Sequence, residues 1–180
     1  EGAPSGSVVV ANSQTSGRGR LGRDWHSGVG QNLAFSLVLR PPLKIVDAPL
    51  LCLAAGVGLA EALDLCIKWP NDILDHDGRK VAGILAEMET DGGRLKHAVV
   101  GIGVNVNQVE FPQHLPNPGS LALLRGGQDR SAVLQSCVFS VEKWSAELSS
   151  APGRVLDRWR KRSAHMGKSV RIGDVHGIAE

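Results

Sequence analysis

The chain has 180 residues, 42% of them hydrophobic, with 20 Lys+Arg against 18 Asp+Glu and a net charge of +2. That length supports one domain with a real core plus at most a small appendage. The near-neutral balance excludes a globally basic binder of nucleic acid or anionic membrane, so any anion site must be local.

Cys52, Cys66 and Cys137 are odd in number and set in apolar runs, which argues against a disulfide frame and for reduced thiols in a cytoplasmic protein. In chain order, Ser7 to Ala11 is a β-branched run short enough for a buried strand, and it leads through polar Asn12 to Ser16 into a Gly/Arg loop. Asn32 to Leu39 alternates as a second strand, stopped by Pro41-Pro42. Asp47 reads as an N-cap, with Pro49 in the first turn of an apolar helix running to about Leu65. Leu50, Leu53, Ala54, Val57 and Ala60 share its inward face. Gly56, Gly58 and Glu61 interrupt it, and it is too short to span a bilayer.

Cys66 to Trp69, Val81 to Glu89 and Lys96 to Asn105 then read as strands joined by turns at 75–78 and 91–93, short enough to demand antiparallel neighbours. Phe111 to Gly127 reads as a structured surface loop. Two helices follow, one capped by Asp129 or Ser131 and one opened by Pro152, with Val133, Cys137, Val141, Trp144, Val155 and Trp159 inward and Arg158, Arg160, Lys161 and Arg162 outward. Gly167 to Glu180 reads as a strand, a turn and another strand, the start of a further small β domain. Strands followed by segregated helices make an α+β architecture.

Four segments carry chemistry. Gly17-Arg18-Gly19-Arg20-Leu21-Gly22-Arg23 contains G-x-G-x-x-G, but no helix begins inside it, so the dinucleotide reading fails. Its three guanidiniums, spaced by glycines, can converge on one polyanion, and Trp25 just beyond could lie against a base; a solvated basic loop is the plain alternative. Lys68-Trp69-Pro70-Asn71-Asp72 places a lysine at a strand end before turn-forming residues. Lys80-Val81-Ala82-Gly83-Ile84-Leu85-Ala86-Glu87 and Gly101-Ile102-Gly103-Val104-Asn105-Val106-Asn107 put glycines inside strands, a mark of close approach by a ligand or of a bulge.

Together and in this order, the four blocks resemble the catalytic domain of biotin–protein ligases, whose run is G-R-G-R-x-G-R-x-W, K-W-P-N-D, K-x-A-G-I-L-x-E and G-I-G-x-N-x-N. The resemblance implies a class II aminoacyl-tRNA synthetase-like fold, a mixed and mostly antiparallel sheet with flanking helices. It places a biotin/lipoate ligase-type catalytic domain at 1–165 and the start of an SH3-like β domain at 166–180. The family's Ser/Thr-Thr/Ser-Asn segment, expected upstream, is not in this sequence.

The activity implied is a ligase: biotin is adenylated by ATP to biotinyl-5′-AMP, then passed to a lysine of the biotin carboxyl carrier domain of a biotin-dependent carboxylase. The resemblance assigns catalysis to Lys68 and Arg18. It assigns biotin to Gln14, Gly17, Arg18, Lys68 and Gly83, and ATP or adenylate to Arg20, Arg23, Trp25, Asn71, Lys80 and Asn105. No metal site is expected in the chain itself; Mg²⁺ would arrive with ATP. Neither membrane nor nucleic acid is an expected partner, and a homodimer is an open alternative. The competing readings are a lipoate–protein ligase and a noncatalytic phosphate- or RNA-binding module using the loop arginines and the basic last helix.

Overall fold

The computed structural model describes residues 2–180; Glu1, where the expected catalytic domain begins, lies outside the described residues. Its strands are β1 (Val8–Ala11), β2 (Leu33–Leu39), β3 (Cys66–Lys68), β4 (Asp72–Leu74), β5 (Lys80–Asp91) and β6 (Arg94–Val104). They form one sheet in the order β1-β2-β6-β5-β4-β3, every neighbouring pair antiparallel. The longest hairpin, β5–β6, closes with Asp91 opposite Arg94 around Gly92 (φ 54°) and Gly93 (φ 78°). Two left-handed residues match the twist of the strands they join, and glycine adopts that conformation without strain.

The helices are α1 (Leu50–Leu63), α2 (Leu121–Arg125), α3 (Arg130–Ser150) and α4 (Pro152–Arg162). Ile67 and Ile84 meet α1 at Gly56, where an added Cβ would lie 3.7 and 3.8 Å from their methyl groups. Strand alternation therefore turns Phe35, Leu37, Ile73, Ala82, Ile84, Val100, Ile102 and Val104 toward the helices as one core. The helices leave the opposite face uncovered.

Helix α1 was expected to bury one face. It is instead buried on nearly every side, because α3 and α4 cover what the sheet does not. Gly58 marks the crossing: a Cβ there would come 2.7 Å from the Cα of Val141 in α3. Burial in this core pushes the Cys137 thiol up to about 12. Pro49, not Asp47, takes the N-cap position of α1, and the helix ends two residues before the expected Leu65 as Asp64 turns left-handed (φ 52°).

Three further departures have local causes. β1 is an edge strand rather than a buried one, with Val9 67% exposed. Strand β4, hidden in the Pro-Asn-Asp turn residues, pairs β3 with β5. Within the expected loop, the Ser120 hydroxyl accepts from the Leu123 N–H and starts α2. Asp129 caps α3 as expected.

The outward cations of α4 are mostly engaged. Arg158 pairs with Glu61, Arg160 with Asp157 at 3.2 Å, and Arg162 with Asp64 at 2.8 Å. Beyond α4, β7 (Ser169–Ile172) and β8 (Val175–Ile178) pair only with each other, in a separate two-stranded sheet. No helix among the described residues is long and apolar enough to cross a membrane.

Candidate active site on the open face of the sheet

One row of the open face crosses all six strands in register: Ala11, Ala34, Gly103, Gly83, Asp72 and Lys68. Its centre carries no side chain larger than a methyl group, so it forms a shallow floor. The strand glycines flagged by sequence are therefore cross-strand partners, Gly83 opposite Gly103.

The Gly/Arg loop folds over this floor as a short hairpin. The Gly19 N–H donates to the Arg23 carbonyl at 2.6 Å and the Trp25 N–H to the Gly17 carbonyl at 2.8 Å, with Arg18 bridged to Asp24. Its tip turns at Leu21 (φ 58°) and Gly22, which leaves Arg18, Arg20 and Arg23 exposed. Buried Gly17 lies so close to its returning strand that a Cβ would meet the Trp25 carbonyl oxygen at 2.5 Å and the Gln14 side chain at 3.1 Å. Burial pushes the Cys52 thiol up, partly offset by the Arg20 guanidinium.

Trp25 lies on the floor. A Cβ on Gly83 would come 3.1 Å from the indole, and one on Gly103 would overlap it. Lys80 reaches over the same spot: its Nζ is 5.5 Å from the indole centroid and 2.7 Å from Asp72 Oδ1. The backbone of Lys80 is fixed on both sides, its N–H donating to the Asn117 carbonyl and its carbonyl accepting from the Gly119 N–H. The expected surface loop thus clamps this lysine. Beyond β6, Asn105 is 6% exposed and donates from Nδ2 to the Gly119 carbonyl at 2.9 Å.

Two buried polar atoms here have no hydrogen-bond partner: Trp25 Nε1, a donor, and Asn105 Oδ1, an acceptor. Unsatisfied buried groups are costly, and at a cleft they mark where a ligand's complementary groups would sit.

The structure thus brings Gly17, Trp25, Lys80, Gly83 and Asn105 together, with Arg18, Arg20 and Arg23 on the loop above. Gln14 is exposed beside Gly17. Lys68 stands exposed on edge strand β3 at the end of the same row, opposite Asp72, with β4 between it and Gly83. Asn71 spends its amide on the Ile84 carbonyl at 2.8 Å and secures the turn to β5. Sequence reasoning treated Asp72 only as a turn residue, because its position opposite Gly83 depends on register. It also passed over Gln108 and Asn32, buried at 4% and 3% exposure and bonded to each other; polar residues flanking apolar strands were the available signal.

Two clefts lie elsewhere. One of 520 Å³ is lined by Gly2, Arg40, Glu89, Lys96 and His97, and Glu89 is six residues along β5 from Gly83, about 20 Å away. The other, of 380 Å³, lies between β1 and α3. In the first, Lys96 and His97 already pair with Glu89, and the second is lined mostly by apolar side chains; the floor, with its facing strand glycines and two unpartnered polar atoms, is the better candidate. Among the described residues no three His, Cys, Asp or Glu side chains form a metal-binding group.

An antiparallel sheet with helices on one face and a cation-rimmed floor on the other defines a domain of the class II aminoacyl-tRNA synthetase-like type. Within that class the chain belongs to the Biotin/lipoate A/B protein ligase family, whose sequence profile matches residues 1–105. It is 37% identical over 198 residues to the biotin--[acetyl-CoA-carboxylase] ligase of Paracoccus denitrificans, covering 98% of this chain and 80% of the relative. It is 35% identical to the bifunctional ligase/repressor BirA of Bacillus subtilis, of whose length it spans 57%. Among solved structures, the biotin protein ligase from Aquifex aeolicus in complex with biotin and ATP superposes with a TM-score of 0.80 at 29% identity, over 99% of this chain and 78% of that one.

Proposed function

We propose that this chain is a biotin–protein ligase that adenylates biotin and passes it to a lysine of a biotin carboxyl carrier domain. The observation that carries the reading is Lys80 held by Asp72 above the Gly83–Trp25 contact, beside the orphaned Asn105 Oδ1. A carboxylate meeting a triphosphate is a meeting of two anions, so catalysis is mainly positioning and charge stabilisation.

In the first step, a biotin carboxylate oxygen attacks the α-phosphorus of ATP, the bond to the β-phosphate bridging oxygen breaks, and pyrophosphate leaves. Lys80 is the lysine best placed for the carboxylate and α-phosphate. Arg18, Arg20 and Arg23 lie on the loop that would close over phosphates. Lys68, opposite Asp72 at the edge end of the same row, would bring a second cation to the carboxylate and α-phosphate. Asn105 Oδ1 would accept from an exocyclic amine of the base, with the Trp25 ring against its face. Mg²⁺ would come bound to the nucleotide phosphates. In the second step, the acceptor amine attacks the acyl carbon, loses a proton and displaces AMP, and the loop keeps water from the mixed anhydride.

The acceptor, a carrier domain of a biotin-dependent carboxylase, and a cytoplasmic location belong to the same proposal, as does self-association into a homodimer. The nucleic-acid alternative is weakened by the ion pairs that occupy Arg158, Arg160 and Arg162. Calorimetric titration with biotin and with lipoate decides the acid: saturable heat with biotin alone supports the proposal, and heat with lipoate alone overturns it.

A further inference from the structure

We infer that Gln108 is a positioning residue that holds the arginine loop at its working height over the floor. The claim about the loop stands on geometry; its catalytic consequence rests on the ligase reading.

Gln108 follows β6, the strand that supplies Gly103 to the floor, and it is 4% exposed. Both ends of its amide are engaged. Oε1 accepts from the Gly28 N–H at 3.0 Å and from Asn32 Nδ2 at 2.5 Å, while Nε2 donates to the Glu110 carbonyl at 2.8 Å. Asn32 is itself fixed, its Oδ1 accepting from the Val106 N–H at 2.9 Å. The Gln108 oxygen therefore belongs to the rigid part of the sheet, and Gly28 is what it holds.

Gly28 is three residues beyond Trp25. The indole has no hydrogen bond of its own, since Nε1 is unpartnered. On the side toward Gly17 the loop is tied by the Trp25 N–H; on the far side the next tie is the Gly28 N–H to Gln108. The following contacts, Gly30 N–H to the Asn12 carbonyl and Gln31 N–H to the Gly28 carbonyl, are both longer at 3.3 Å. Trp25 and Gly103 are thus joined twice, by direct packing and through two short stretches of chain linked by the Gly28–Gln108 hydrogen bond. Loss of that amide frees the loop's far root without touching the floor, any arginine or Lys80.

Trypsin reads the loop directly, because Arg18, Arg20 and Arg23 are exposed in it and cleavage of a locally opened segment follows the open population. In the full chain, Gln108→Leu leaves the Gly28 N–H without an acceptor and should speed cleavage at these arginines roughly tenfold. Cleavage at Lys168 and Arg171, in the separate β7–β8 hairpin, should be unchanged. Gln108→Glu keeps an acceptor for Gly28 but sets its second oxygen against the Glu110 carbonyl, so it should restore only part of the protection. Unchanged loop cleavage, or equal acceleration at the hairpin sites, would overturn the inference. Should Gln108→Leu fail to fold, hydrogen exchange on the unaltered chain decides: the Gly28 amide must be protected well beyond its neighbours His26 and Ser27, and free exchange at Gly28 refutes the tie.

The catalytic arm measures free biotinyl-5′-AMP. Gln108→Leu should raise its release, and should add nothing in a Trp25→Ala background, where the loop has already lost its seat. An equal increment in both backgrounds contradicts action through Trp25. If the unaltered chain makes no adenylate, the ligase reading fails, and the proteolysis result still decides the role of Gln108.

Discussion

The indole of Trp25 lies against Gly103 so closely that any side chain at that position would occupy the ring's own volume. Gly103→Ala should therefore push Trp25 off the floor and raise the KM for ATP about tenfold, the scale of one lost aromatic contact, with little change in melting temperature. Gly83→Ala, whose Cβ would meet the ring at 3.1 Å, should do less. Steady-state kinetics with ATP varied separate the two, and equal effects would mean that Trp25 is not seated on Gly103.

Lys80 and Lys68 should differ sharply. Lys80 sits over the floor with its Nζ 2.7 Å from Asp72, while Lys68 is exposed at the sheet edge. Lys80→Ala should lower biotin-dependent pyrophosphate release by about 10²- to 10³-fold, the usual cost of removing a charge that stabilises a transition state. Lys68→Ala should cost roughly fivefold or less, as for a solvated charge. The reverse order would restore the strand-end lysine to the central role.

Gly58 of α1 carries the packing of the domain. Its added Cβ would lie 2.7 Å from Val141 Cα and 2.8 Å from Val141 N. Because helix backbone cannot give way as a side chain can, Gly58→Ala should destabilise by about 2 kcal/mol and lower the melting temperature by roughly 4–8 °C. A melting temperature at or above that of the unaltered protein would mean that the helices separate freely.

Glu61 gives the fold a pH dependence. Burial pushes its carboxyl up, but hydrogen bonds from Trp144 and Arg158 outweigh that and hold it below the usual carboxylate range. A group whose folded pKa is depressed stabilises fully above its unfolded value, near 4.3, and loses that contribution as pH falls through the folded value. Thermal melts should show Glu61→Gln less stable than the unaltered chain at neutral pH, with the gap closing below about pH 4. A gap independent of pH would remove Glu61 from the acid transition.

The limits of sequence reading follow from which features are local. The four chemical blocks were legible because each is contiguous, and so were the hairpins, whose turn residues lie beside the strands they join. The ion pair between Lys80 and Asp72 was not legible because it depends on register: the pairing of Asp72 with Gly83 brings the carboxylate to Lys80. Valines at Val8 to Val10 read as interior, yet the sheet order makes their strand an edge. Gln108 carried only its polarity beside an apolar strand as a signal, since its partners Gly28 and Asn32 lie 80 and 76 residues away.

The central claim is that the floor beneath Trp25 joins a biotin carboxylate to AMP, and a single-turnover reaction with ATP labelled at the α-phosphate tests it most directly. With biotin present, the label should pass into biotinyl-5′-AMP that stays with the protein, with one pyrophosphate released for each adenylate formed. ATP that stays intact with biotin bound, or pyrophosphate released at the same rate without biotin, would contradict the account.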